Sequence, residues 1–158
     1  MRILAITAAL AFGVDQLSKL IVVHWLNLKE ILFLPVAPPF LTFRMGWNQG
    51  INFGLFAGSH DLMRWLLVAL ALGVSVMLIR WARGFERRIA QISAGMIVGG
   101  ALANALDRVI YGAVADFLNM SCCGIANPFA FNLADVFIFA GAFGLVIWGD
   151  TPRHHKTP

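Results

Sequence analysis

The sequence predicts an all-α membrane protein: four transmembrane helices carrying a small extracytoplasmic β-hairpin. Three observations carry that prediction. The 158 residues are 59% hydrophobic and 13% charged, whereas a soluble domain is about half apolar and about a quarter charged. So few polar side chains cannot cover a water-facing surface. Four apolar segments are long enough to cross a hydrocarbon core of about 30 Å, and basic residues collect on one side of them. The length suits a single domain over 1–158.

The predicted spans are about 3–25, 62–81, 89–106 and 133–148. The first resembles a signal peptide in its opening, with Arg2 before "ILAITAALAFGV". Its apolar pattern continues through "DQLSKLIVVHW" without a small-residue cleavage site, so it is read as a retained span. Trp25, Trp65, Trp81 and Trp148 lie near span ends, where indole favours the headgroup region. In the third span Gly95, Gly99 and Ala103 recur at a spacing of four, which lets helices approach closely.

Arg2, Arg80, Arg83, Arg87, Arg88, Arg153 and Lys156 all fall on one side, in short segments. Lys29, Arg44, Arg64 and Arg108 fall on the other, over longer ones. The positive-inside rule then places both termini in the cytoplasm and residues 26–61 and 107–132 outside. In "LTFRMGWN" Leu41, Phe43, Met45 and Trp47 alternate with polar or small residues, the period of a half-buried strand. Alternation resumes at Ile51, Phe53 and Leu55 after a turn at "NQG", which predicts a hairpin over about 40–56. The preceding "LPVAPPF" breaks any helix.

Of the eight acidic residues, Glu30, Asp61, Glu86 and Asp150 lie in loops or at span ends. Asp15, Asp107, Asp116 and Asp135 lie within or beside spans, where ionisable groups are rare and suggest function. Asp15 and Lys19, four apart, read as a partly buried ion pair with Lys19 snorkelling outward. Asn104, Asp107 and Arg108 share a broad helix face with Gly100 and read as a hydrogen-bonded network. Asp116 is flanked by Val114, Phe117 and Leu118. Asp135 sits in a first helical turn that Asn132 can cap and the helix dipole favours. Both acids fall on the outer side among apolar neighbours. Two carboxylates brought close cannot easily both ionise, so they share a proton. That is the arrangement with which aspartic proteases activate water.

Other classes fit less well. Basic residues at helix ends, rather than in a stripe, give no nucleic-acid signal. His24, His60, His154 and His155 lack ligand spacing, so no metal site is expected. Cys122 and Cys123 are adjacent and read as unbonded packing residues. Ser18 and Lys19 are neighbours and do not face each other on a helix, against a serine peptidase. A proton- or ion-coupled carrier is the main alternative from another class, but internal repeats, common in carriers, are missing. A non-catalytic scaffold leaves so many costly polar residues unexplained.

The motifs "DQLSK" (15–19), "NQGINFG" (48–54), "GGALANALDRVIYGAVADF" (99–117) and "FNLAD" (131–135) together resemble those of lipoprotein signal peptidase, signal peptidase II, in order and over nearly the whole chain. The resemblance implies four helices with an outer β-cradle and a short amphipathic helix. It implies an aspartic endopeptidase of the bacterial inner membrane, likewise a single integral membrane peptidase domain. Its substrates would be prolipoproteins, cut just before a diacylglyceryl-modified cysteine. The catalytic pair would be Asp116 and Asp135. Supporting positions would be Asp15, Lys19, Asn48, Gly50, Gly100, Asn104, Asp107, Arg108 and Asn132. No metal or organic cofactor is implied. Substrate would enter laterally from membrane lipid, and the protein is expected to act as a monomer. Ala103 and Ala115 depart from residues common in the family, "QGIN" is more polar, and "SCCGIANP" looks particular to this chain. None of these removes an acid or a supporting residue.

Overall fold

The long apolar stretches fold as helices, because a chain in hydrocarbon must satisfy its own backbone polar groups. A computed structural model describes residues 1–50, 60–122 and 127–149. In order these form α1 (Arg2–Lys19), a π-helical turn (Leu20–Trp25), α2 (Leu28–Ile31), β1 (Phe33–Ala37) and β2 (Leu41–Asn48). There follow α3 (His60–Trp81), a 3-10 turn (Ala82–Gly84), α4 (Arg88–Tyr111), β3 (Val114–Met120) and α5 (Leu133–Trp148).

Among the described residues, three helical stretches are long and apolar enough to cross a membrane: Arg2–Trp25, Asp61–Gly84 and Arg88–Tyr111. Helix α5 is apolar but has 16 residues, a rise of about 24 Å. Leu66, Leu70, Phe139, Phe143 and Val146 point outward and are more than half exposed. Such a surface suits lipid and not water.

Helix α4 is the centre of the bundle. It lies parallel to α1: a Cβ added at Gly95 would come within 2.6 Å of the Leu4 carbonyl oxygen, and Gly99 faces Ala8 and Ala11. It lies antiparallel to α5, with Gly100 against Ala134 and Ile138, and Gly141 of α5 against Ser93 and Ile97. The small-residue spacing thus brings backbones together. Leu4, Leu78, Ala82, Phe85, Ala90, Ala94 and Val98 pack at the end of the bundle remote from the sheet.

The sheet sits at the other end, in the order β1-β2-β3 with antiparallel neighbours. Phe43 pairs with Leu118 and Gly46 with Asp116, with a register irregularity between them. Beneath it Val22, Val23, Leu28, Ala115 and Phe117 form a second core, and the Phe43 and Phe117 rings meet edge-on.

The strand predicted over "LTFRMGWN" is β2. It pairs with β1 upstream and β3 downstream; Ile51, Phe53 and Leu55, the predicted second strand, lie outside the described residues. Pro35 and its neighbours form β1 rather than only a helix break, since proline is tolerated on an edge strand. Asp116 stands on a strand, β3. Helix α4 extends to Tyr111, beyond the predicted 106, and carries Asp107 and Arg108 in its last turns. The short α2 precedes the sheet, with Leu28 buried. Cys122 is disulfide-bonded, not an unbonded packing residue; such bonds persist in oxidising compartments. Cys123, Asp150, Arg153 and Lys156 lie outside the described residues.

Candidate active site

Local sequence brings the two acids together. Helix α4 ends at Gly112, whose φ of 79° provides the left-handed cap that turns the chain back. The Gly112 N–H donates to the Arg108 carbonyl at 3.0 Å. The chain then enters β3, and Asp116 arrives two residues into the strand. At the other side, Asn132 caps α5. Its side-chain oxygen accepts from the Asp135 N–H at 2.9 Å, and the Asp135 carboxylate accepts from the Asn132 N–H at 3.3 Å. This is a reciprocal capping box. Phe131 pairs with Leu118 across the intervening chain, so the start of α5 is tied to the strand that bears Asp116.

Asn132 joins the acids. Its amide donates to Asp116 Oδ1 at 2.6 Å and to Asn104 Oδ1 at 3.2 Å. Asn104 in turn donates to Asp135 Oδ1 at 2.9 Å. From β2, Asn48 donates to Asp116 Oδ2 at 3.1 Å, and its own oxygen accepts from the Gly50 N–H at 2.9 Å. Gly50 has a φ of 105° and packs on Leu67, so a side chain there would be strained and crowded. Asp116 is 4% exposed. Burial, then the charge of Asp135, push its carboxyl up to about 6, against the opposing effect of amides from Asn48 and Asn132. Asp135 is half-buried.

Arg108 donates to the Asn104 carbonyl oxygen at 3.2 Å. Its Nε, buried, has no hydrogen-bond partner among the described residues. Gly100 allows α4 and α5 to approach: a Cβ would lie 2.5 Å from the Ala134 carbonyl oxygen.

Asp15 and Lys19 are not the snorkelling pair expected. Both are buried, at 0% and 5% exposure. Lys19 Nζ lies 2.7 Å from Asp15 Oδ2 and 2.7 Å from Asp107 Oδ2, and 3.3 Å from Asn104 Oδ1. A second carboxylate, supplied by α4, removes the drive for the ammonium to reach water. Gln16 completes this cluster by donating to Asp107 Oδ1 at 2.9 Å. Sequence reasoning missed Gln16, although it lies one residue from Asp15 and three from Lys19. Among the described residues no three His, Cys, Asp or Glu side chains are grouped to hold a metal ion.

The sequence and the fold have known counterparts. The family model for Signal peptidase (SPase) II matches residues 7–149. The chain belongs to the signal peptidase II family. It is 40% identical to a lipoprotein signal peptidase of Methylorubrum extorquens (strain PA1) over 148 residues, covering 92% of this chain and 82% of that one. It is 43% identical to the lipoprotein signal peptidase of Methylobacterium radiotolerans over 118 residues, covering 75% of this chain and 68% of the relative. A bacterial membrane enzyme structure obtained by the in meso method shares the fold with a TM-score of 0.75, 23% identity, and coverage of 90% of this chain and 88% of that one. Signal peptidase II membership makes this chain a peptidase, and its long apolar helices make it an integral membrane protein.

Proposed function

We propose that this peptidase is an aspartic endopeptidase that removes the signal peptide from diacylglyceryl-modified prolipoproteins, cutting just before the lipidated cysteine. Asp116 and Asp135 are its catalytic pair. Cleavage of prolipoprotein signal peptides follows from its lipoprotein signal peptidase relatives, and the carrier alternative has no such support. The observation that carries the aspartic reading is the reach of Asn132 to both carboxylates, through its side chain to Asp116 and its backbone to Asp135.

The chemistry follows from the shared proton. Two neighbouring carboxylates, one buried and one half-buried, hold one proton between them. The ionised member takes a proton from a water molecule while that water's oxygen attacks the scissile carbonyl carbon. The protonated member donates to the carbonyl oxygen. The tetrahedral intermediate collapses as a proton passes to the departing amine. Asn48, Asn104 and Asn132 fix the carboxylates without adding charge, and the spare Nε–H of Arg108 suits a peptide carbonyl oxygen.

In this reading the chain is one peptidase domain over 1–158 that crosses the bacterial inner membrane four times, with α5 as the fourth crossing. Both termini are cytoplasmic, the site faces outward, and substrate enters laterally from membrane lipid into a monomeric enzyme. The distribution of basic residues and the outward apolar side chains of α5 support this arrangement. The 16-residue α5 is accommodated by local thinning or flanking residues.

The test is a gel-shift assay on a prolipoprotein with and without the diacylglyceryl group, using wild type, Asp116→Asn and Asp135→Asn, each with and without a metal chelator. The reading expects cleavage of the lipidated substrate alone, resistance to chelator, and no cleavage by either variant. Chelator-sensitive cleavage, or turnover by a variant, contradicts it.

A further inference from the structure

The buried Lys19 cluster lies outside the chemistry described above, yet each of its acids holds a particular backbone amide. Asp107 Oδ2 accepts from the Ala115 N–H at 3.1 Å. Asp15 Oδ1 accepts from the Ala134 N–H at 2.8 Å. Ala115 immediately precedes Asp116, and Ala134 immediately precedes Asp135. One ammonium, 2.7 Å from both acids, therefore ties together the two chain segments that deliver the catalytic pair.

We propose that Lys19 is a positioning residue for both aspartates at once: by holding Asp15 and Asp107 together, it fixes the backbone directly ahead of Asp116 and of Asp135, and so sets the gap between their carboxylates. The proposal rests on the dyad reading above and deepens it. Its physical basis is threefold. Ala115 and Ala134 are almost fully buried, at 1% and 0% exposure, so their N–H groups have no recourse to water. Hydrogen bonds from backbone N–H to a carboxylate are charge-assisted and short, which makes them directional anchors. The segments come from β3 and α5, which the Phe131–Leu118 pairing and the Asn132 side chain already join, and a third body braces both from the bundle. The first helix supplies it through Asp15 and Lys19, α4 through Asp107, and Gln16 holds the other Asp107 oxygen. Lys19 also reaches Asn104 Oδ1, and Asn104 holds Asp135 directly. A shift of about 1 Å in a catalytic group can lower a rate about 100-fold, so loss of the common cation acts on turnover without touching the substrate surface.

The test combines kinetics of the purified full chain on lipidated prolipoprotein with hydrogen exchange at three amides: Ala115, Ala134 and, as a reference in mid-α4, Val98. For Lys19→Met the expectation is a kcat about 100-fold lower, KM close to wild type, and faster exchange at Ala115 and Ala134 with Val98 unchanged. Retained protection at both amides, or wild-type kcat, overturns the proposal. If Lys19→Met does not fold, Asp15→Ala and Asp107→Ala decide instead; each leaves one balanced Lys–Asp pair. Asp15→Ala should free Ala134 preferentially and Asp107→Ala should free Ala115. A uniform rise at all three amides, or no selectivity, assigns the cluster to general stability and overturns the proposal. Asp116→Asn and Asp135→Asn run beside them: if those cleave, the dyad reading fails while the exchange pattern still reports the anchoring.

Discussion

Asn132 donates its side-chain amide to Asp116 Oδ1 at 2.6 Å while capping the helix that begins beside Asp135. One residue therefore ends a loop, starts a helix and sets the relation of two carboxylates. Its removal affects both folding and chemistry. Asn132→Ala is expected to lower stability by about 1–2 kcal/mol through loss of the cap and to lower kcat about 10- to 100-fold through loss of a hydrogen bond to an acid. Thermal unfolding and steady-state kinetics on the same preparation check both.

Asn48 holds the other oxygen of Asp116 at 3.1 Å, and this contact lowers the proton affinity of that carboxyl. In Asn48→Ala the affinity rises. The alkaline limb of kcat/KM, which reports loss of the shared proton, is expected to move to higher pH, with kcat/KM about 10- to 100-fold lower. A pH–rate profile of variant and wild type measures the direction.

Burial and the Asp135 charge raise the Asp116 carboxyl from an ordinary 3.8 to about 6. Between those values the folded protein keeps a proton that the unfolded chain has lost. Stability therefore declines as pH rises through that window and levels off above it, with a total change of about 3 kcal/mol at most. Asp116→Asn removes this contribution to the slope. Melting temperatures of both proteins across pH 4 to 7 provide the comparison.

Gly100 meets the backbone of α5 at Ala134 and the Ile138 side chain. Gly100→Ala must push α5 away from α4, and overpacking of this kind costs about 1–3 kcal/mol. Because Ala134 precedes Asp135, activity is expected to fall along with melting temperature. A variant as stable and as active as wild type would contradict the packing described.

Much of this was legible before any coordinates. Apolar runs of spanning length became helices, since the bilayer leaves the backbone few other choices. The alternation in "LTFRMGWN" became β2, and Asn132 in "FNLAD" became a cap. Strand β3 was hidden because Val114–Phe117 is buried throughout and shows no alternation, a pattern that period-two reasoning cannot separate from a buried helix. Local spacing reveals only the Asp15 half of the Lys19 cluster, because its second partner, Asp107, lies 88 residues away in the sequence. The register that sets Asp116 opposite Gly46 likewise depends on pairing between distant segments. Resemblance of motifs supplied the residues of the site, and the fold supplied the reason they belong together.

The account depends most on Asp116 and Asp135 acting as one unit. Single-turnover cleavage of a lipidated prolipoprotein by Asp116→Asn, Asp135→Asn and the double variant tests this directly, because residues that act together show strongly non-additive losses. The account predicts that either single substitution abolishes cleavage as completely as both. Substantial cleavage by either single variant, or losses that multiply independently in the double variant, would contradict it.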